Sequence, residues 1–247
     1  MIYACSDIHG NLDRYNKVIQ KITSDDELYI LGDVIDRGEY GLEILKDILS
    51  RDNVHFIMGN HEYMMLNVLL LLLSDSLSVE DFKNSEDFRT WVDPRNGGGV
   101  TYVKLSSLEP NVISDILNLF INSPIFVRIN VNGRKFHLSH ASALAKYRGR
   151  DSLCIKDMSQ EELIFDLFNL VWSSPFDTKH LSNSDEYDCD NETYILGHRP
   201  VQMFGSHKMI NKDDRIFDID GGCALGNSNK NSLILLCLDT MKEEYIV

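Results

Sequence analysis

Short apolar runs alternate with stretches of helical spacing at the start of this chain. Ile2 to Cys5 is an apolar run, and Leu12, Tyr15, Ile19 and Ile22 then recur at helical intervals. Glu27 to Leu31 is a second run, Leu42, Leu45, Ile48 and Leu49 mark a second amphipathic helix, and Val54 to Met58 is a third run. Two successive strand–helix–strand units predict a parallel sheet with right-handed crossovers. In such sheets, sites form beyond the carboxyl ends of the strands. The Leu-rich run Val68 to Leu73 reads as core, the continuation of a helix from His61, and is far too short to span a bilayer.

The middle of the chain, about 74–123, reads as helices and loops interrupted by Gly97-Gly98-Gly99. Asn132-Gly133 between Ile125–Ile129 and Lys135–Ser139 predicts a hairpin. Thr193 to Leu196 is a further strand, and the segments Ile216–Asp220, Leu233–Leu238 and Tyr245–Val247 predict a terminal β-meander. With no Pro/Ser-rich linker and no repeat, residues 1–247 are expected to form a single domain.

Five motif blocks fall at the ends of these strands: Asp7-Ile-His9-Gly10, Gly32-Asp33-Val-Ile-Asp36-Arg37-Gly38, Gly59-Asn60-His61-Glu62, Ser139-His140-Ala141 and Gly197-His198-Arg199-Pro200. Mixed carboxylate and imidazole ligands suit divalent Mn, Fe or Zn. Two such ions need a bridging anion, and Asp33 is the candidate. Asp7 and His9 reach one ion, and Asn60, His140 and His198 the other. A hydroxide shared by the pair is then the expected nucleophile for in-line attack at phosphorus. His61 follows a ligand without being one, and is placed to protonate a leaving alkoxide, with Asp36 orienting its ring. Arg37 offers a forked donor to phosphate oxygens that lysine cannot reproduce. Any one block alone is commonplace; five in order after five strands are not.

The pattern resembles the phosphoprotein phosphatase branch of the calcineurin-like metallophosphoesterases, and within it the phage-lambda-type Ser/Thr phosphatases of bacteria and phage. Asn96–Gly99 and Val171-Trp172-Ser173 also resemble landmarks of that family. The resemblance implies an α/β fold of two β-sheets packed as a sandwich flanked by helices, two divalent metal ions with manganese the usual activator, and phosphorylated proteins or small phosphoesters as substrates. It assigns metal ligation to Asp7, His9, Asp33, Asn60, His140 and His198, acid catalysis to His61 with Asp36, and phosphate binding to Arg37. Two phosphate-contacting arginines of the subgroup are absent, replaced by Met58 and by Ser173-Ser174 after Trp172. Arg199 is the residue expected to compensate as a substrate contact. The competing enzyme is a symmetrical diadenosine tetraphosphate hydrolase; Glu62 and the intact Asp36-Arg37-Gly38 favour the phosphatase.

Charge and cysteine content narrow the setting. The formal net charge of -14 disfavours nucleic acid or anionic membrane as a partner, though bound cations would reverse the local field at the site. Five scattered cysteines without CxxC spacing, and a first strand running straight into the first motif, are expected of a cytoplasmic protein. Glu62 is expected to support the helix beginning near His61, and Asn11 to position a helix start. Asp218 and Asp220 are read as a structural turn. His55, His137, His180 and His207 belong to no motif, and 185–192 is read as an acidic solvated loop. The pattern leaves the oligomeric state open.

Overall fold

The computed structural model describes residues 1–73, 78–105, 107–177, 192–226, 228 and 230–247. The chain begins β1 (Ile2–Cys5), α1 (Leu12–Ile19), β2 (Glu27–Leu31), α2 (Gly41–Leu49), β3 (Val54–Ile57) and α3 (Asn60–Leu73). Helices α4 (Val79–Asn84), α5 (Glu86–Val92), α6 (Gly99–Leu105) and α7 (Pro110–Asn122) follow, then β4 (Pro124–Val131), β5 (Arg134–Ser139) and β6 (Ser152–Cys154). The remainder is α8 (Gln160–Phe165), α9 (Leu167–Trp172), β7 (Glu192–Leu196), β8 (Ile210–Lys212), β9 (Ile216–Asp218), β10 (Leu233–Cys237) and β11 (Lys242–Ile246).

The strands form two mixed sheets. One runs β11-β10-β1-β2-β3 and the other β6-β4-β5-β7-β9-β8. As the sequence spacing predicts, β1, β2 and β3 are parallel. Strand β5 also runs parallel to β7. Period-two alternation divides each strand between two cores. Ala4, Leu31, Ile57, Ile234 and Leu236 pack between the sheets against Phe136, Leu138, Ile195 and Phe217. Their neighbours Leu28, Ile30, Phe56, Leu233 and Leu235 face the other way, against Tyr15, Val18, Leu45 and Ile48 of α1 and α2. Burying each Leu, Ile or Phe among them stabilises the fold by about 1.5–3 kcal/mol before conformational entropy is charged against it.

Two expectations are corrected. The tail is not one meander: β9 joins the second sheet beside β7, whereas β10 and β11 complete the first. Strand β10 lies antiparallel to β1, so the loop between β9 and β10 carries the chain from one sheet to the other. The Leu-rich run is core only in part. Val68 and Leu69 are buried, but Leu70, Leu72 and Leu73 are exposed. Among the described residues no helix is long and apolar enough to cross a membrane.

Candidate active site

The five motif turns leave the carboxyl ends of β1, β2, β3, β5 and β7, and the stacking of the two sheets brings those ends together. Backbone bonds continue the strand order into the turns: Asp7 N–H donates to Gly32 O (3.2 Å), His9 N–H to Asp33 O (2.9 Å), and Gly197 N–H to His140 O (2.8 Å). The turns are tight. Asp7, His9, Asp33, Asp36, Arg37 and His198 all hold positive φ, between 46° and 76°. Non-glycine residues there cost of order 1–3 kcal/mol each, and such strain persists where a site over-determines it. Gly59 allows a close approach, since a Cβ there would meet the Asp33 carboxylate and backbone nitrogen.

Six of the predicted residues converge with Asp33 at their centre. Its Oδ2 lies 3.6 Å from His9 Nε2 and its Oδ1 3.5 Å from His140 Nε2. His140 Nε2 in turn lies 2.9 Å from Asn60 Oδ1 and 3.1 Å from His198 Nδ1. Asp7 Oδ1 is 4.0 Å from His9 Nε2, while its Oδ2 accepts the His198 backbone N–H at 2.9 Å and the Ser6 hydroxyl. Two groups of potential ligand atoms, each within 4.8 Å, share Asp33: His9 with His61, and His140 with His198.

The tautomers show what this arrangement fits. His9 Nδ1 lies 3.0 Å from Ile35 O and His140 Nδ1 2.8 Å from Leu31 O. A carbonyl can only accept, so each Nδ1 carries the proton and each Nε2 presents a lone pair to the site. Those lone pairs point at carboxylate and amide oxygens, which are also acceptors. Cations complete such a donor set, and the backbone carbonyls are the orienting partners that metal-binding imidazoles require. Burial reinforces the point. It pushes Asp33 well above the usual carboxylate range, with Asp7 and Glu62 adding to the effect. It also pushes His9, His140 and His198 below the ordinary imidazole value.

His61 stands beside this set. Its Nδ1 lies 2.7 Å from Asp36 Oδ2, and its Nε2 is 3.3 Å from Arg37 Nη2 and 3.7 Å from Asp33 Oδ2. The His61 backbone N–H donates to Asp33 Oδ1 at 3.0 Å. Asp36 is fully buried and pushed up to about 7 by that burial, against the opposing bonds from Thr101 and Trp91. Arg37 is exposed, with its backbone held by Gly97 O at 3.2 Å. Arg199 is tied by Nη2 to Asp177 at 2.7 Å. Met58 is buried, so its side chain is part of the core rather than of the site.

Three residues that hold the site were not singled out for it in the sequence. Trp91 Nε1 (2.9 Å) and Thr101 Oγ1 (2.6 Å) both donate to Asp36, and neither lies in a motif. Gly97 and Gly98 between them were the available signal, since they let that segment press against Arg37 and Trp91. Glu62 does more than support its helix. Its carboxylate accepts backbone N–H groups of Asp33, Val34, Ile35 and Gly59, tying the turn after β2 to the turn after β3.

Asn11 caps α1 by accepting from Arg14 N–H. Asp218 and Asp220 accept the N–H groups of Asp220 and Gly222, a turn as expected. His55 pairs with Glu27, His207 is exposed, and His137 is buried on the outer face of β5 between Phe126 and Tyr194. Cys5, Cys154, Cys223 and Cys237 are free thiols. His180, Cys189 and residues 185–191 of the acidic stretch lie outside the described residues.

Comparison with known proteins agrees with this geometry. The family model for calcineurin-like phosphoesterases matches residues 1–215. The chain belongs to that family. Calcineurin-like phosphoesterases are hydrolases, and the paired ligand groups around Asp33 accord with a dinuclear centre. Among curated relatives, a symmetrical bis(5'-nucleosyl)-tetraphosphatase of Haemophilus ducreyi is 32% identical over 72 residues, 28% of this chain and 27% of that protein. One of Pseudomonas fluorescens is 30% identical over 99 residues, 36% of this chain and 34% of that protein. The chain therefore spans about a third or less of the length of these curated relatives. A cold-active protein-tyrosine phosphatase of Shewanella superposes with a TM-score of 0.59 at 16% identity, covering 100% of this chain and 80% of that one. A metallophosphoesterase from Sphaerobacter thermophilus gives 0.55 at 13% identity, covering 100% and 87%. At such identities these structures share the fold alone.

Proposed function

We propose that this calcineurin-like phosphoesterase hydrolyses phosphomonoesters, phosphorylated proteins or small phosphate esters, with two divalent metal ions, manganese before iron or zinc. One observation carries the reading. The unprotonated nitrogens of His9 and His140 converge on the two oxygens of Asp33, and the His61–Asp36 pair and Arg37 stand beside that cluster.

Asp7, His9 and Asp33 would hold one ion, and Asp33, Asn60, His140 and His198 the other. When bound, the pair supplies water ionised near neutral pH and positive charge for the phosphoryl oxygens. Arg37, exposed at the rim, is placed to grip two phosphoryl oxygens with its fork. His61 donates a proton from Nε2 to the leaving oxygen. Asp36 accepts from Nδ1 and stabilises the imidazolium that must form first. Trp91 and Thr101 fix Asp36 in place, so the acid pair does not depend on the ions for its geometry.

Hydrolysis of dinucleoside polyphosphates is the second reading, supported by the names of the relatives that match the chain over about a third or less of their length. The same residues would act, on a phosphoanhydride instead of an ester. Manganese-loaded protein assayed on a phosphoserine peptide, p-nitrophenyl phosphate and diadenosine tetraphosphate, with EDTA controls, separates the two. Cleavage of the dinucleotide alone would reverse the order of the readings, and cleavage of none would remove both.

A further inference from the structure

A cavity of about 330 Å³ begins at His9 and Arg37, and neither His140 nor His198 lines it. Its walls come from the start of α1, the turn before α2 and the loop between β9 and β10, through Asp13, Glu39, Tyr40, Cys223 and Ala224. The walls are braced from behind. Gly10 and Gly38 press together, since a Cβ on Gly10 would meet Gly38 O at 2.5 Å, and Tyr40 N–H donates to Gly10 O at 3.3 Å. Arg14, buried within the fold, fixes the β9–β10 loop by donating to Cys223 O (3.1 Å) and Asn231 O (2.9 Å). The charges around this space are uneven. Arg37 is the one cation in its lining. Lys17 is held by Asp13 at 2.7 Å, and Lys104, which lies over the Tyr40 ring at 4.9 Å, is held by Glu43 at 2.6 Å. Glu39 is exposed and makes no hydrogen bond or ion pair among the described residues. A bare carboxylate therefore lines the space two residues from Arg37.

We infer that this cavity receives the substituent of the phosphoester, and that Glu39 selects a substituent carrying a positive charge. The role of Glu39 rests on the hydrolase reading above. Arg37 grips the phosphoryl group, and His61, 3.3 Å from that guanidinium, serves the leaving oxygen. The group attached to that oxygen then extends into the space that opens at Arg37. An ammonium or guanidinium a few bonds from phosphorus comes level with the Glu39 carboxylate and pairs with it. A second phosphate at the same point would meet like charge and be repelled. Two sources carry the shared chemistry, a basic residue beside a phosphorylated one in a peptide and a small aminoalkyl phosphate. An ion pair at an exposed position of this kind strengthens binding by up to about fivefold.

The test reads binding without turnover. Dissociation constants of 2-aminoethylphosphonate and propylphosphonate, which match in size and differ in the terminal charge, are measured on the manganese-loaded protein. The wild type is expected to prefer the aminoethyl compound by roughly threefold to fivefold. Glu39→Gln should lose that preference with propylphosphonate unchanged, and Glu39→Asp should keep part of it. Glu161→Gln, exposed on α8, removes the same charge elsewhere and should behave as wild type. Equal affinity of the two phosphonates in the wild type, a preference that survives Glu39→Gln, or a Glu39→Gln variant that weakens both alike overturns the proposal. A lysine-flanked phosphoserine peptide and phosphoethanolamine, bound in parallel, identify the source: the one that Glu39→Gln weakens names it, and loss in neither overturns the proposal. Hydrolysis of p-nitrophenyl phosphate is scored separately. Charge preference without hydrolysis would leave this pocket standing and remove the hydrolase reading, whereas hydrolysis without the preference would remove the pocket alone.

Discussion

Glu62 accepts the backbone N–H of Asp33 at 2.9 Å, with its own side chain fully buried. The same carboxylate takes N–H groups of Val34, Ile35 and Gly59, so one side chain sets the spacing between the turns that carry Asp33 and Asn60. Glu62→Gln keeps the shape but turns an NH₂ toward two of those donors. The expected cost is about 1–3 kcal/mol of stability and roughly 10–100-fold in metal affinity. Manganese titration of the purified variant checks this; wild-type affinity would show that the clamp does not position the ligands.

His61 and Asp33 should separate cleanly in a pair of variants. His61→Asn removes the acid but no assigned ligand, so turnover of an alkyl phosphate should fall about 10²–10⁴-fold with metal content unchanged. Asp33→Asn removes the carboxylate that faces both His9 and His140, and should lose metal together with rate. Metal analysis beside the kinetics distinguishes them. A His61→Asn protein that lost metal would place His61 among the ligands, with His9 and Asp33.

Arg37 is exposed and its guanidinium lies against the His61 ring. Arg37→Lys keeps the charge and loses the fork. The expected result is a drop of about 10-fold or more in kcat/KM, with metal binding intact. Unchanged kinetics in Arg37→Lys would mean that the residue contributes charge alone.

His137 makes no hydrogen bond from either ring nitrogen among the described residues, and burial holds it neutral, well below its ordinary pKa of 6.5. The unfolded chain therefore binds a proton below pH 6.5 that the folded chain refuses. Stability contributed by the neutral ring is present above pH 6.5 and declines as pH falls beneath it. His137→Phe, stacked between Phe126 and Tyr194, should lessen the loss of stability between pH 7.5 and 5.5 by about 1.4 kcal/mol. Denaturant unfolding of both proteins at the two pH values measures the difference, and an unchanged loss would contradict it.

The fold's first half was legible because apolar spacing changes period at each element, from Ile2–Cys5 to Leu12–Ile19 and onward. The motif residues were legible for a related reason: each motif block was expected at the end of a strand, and each lies in the turn after one. What escaped was set by contacts distant in sequence. Trp91 and Thr101 reach Asp36 across 55 and 65 residues, and no local pattern announces that. Strand β9 joins the second sheet through pairing with β7, which three apolar-rich residues cannot specify by themselves. The outer leucines of α3 read as core because composition records hydrophobicity, whereas which face of a helix its neighbours cover is a tertiary property.

The measurement closest to the core of the proposal is metal stoichiometry beside phosphatase activity on one preparation. Manganese-loaded protein should bind two ions per chain, hydrolyse p-nitrophenyl phosphate, lose that activity in EDTA and regain it when manganese is restored. Two bound ions with no hydrolysis, or hydrolysis that survives their removal, would contradict the assignment.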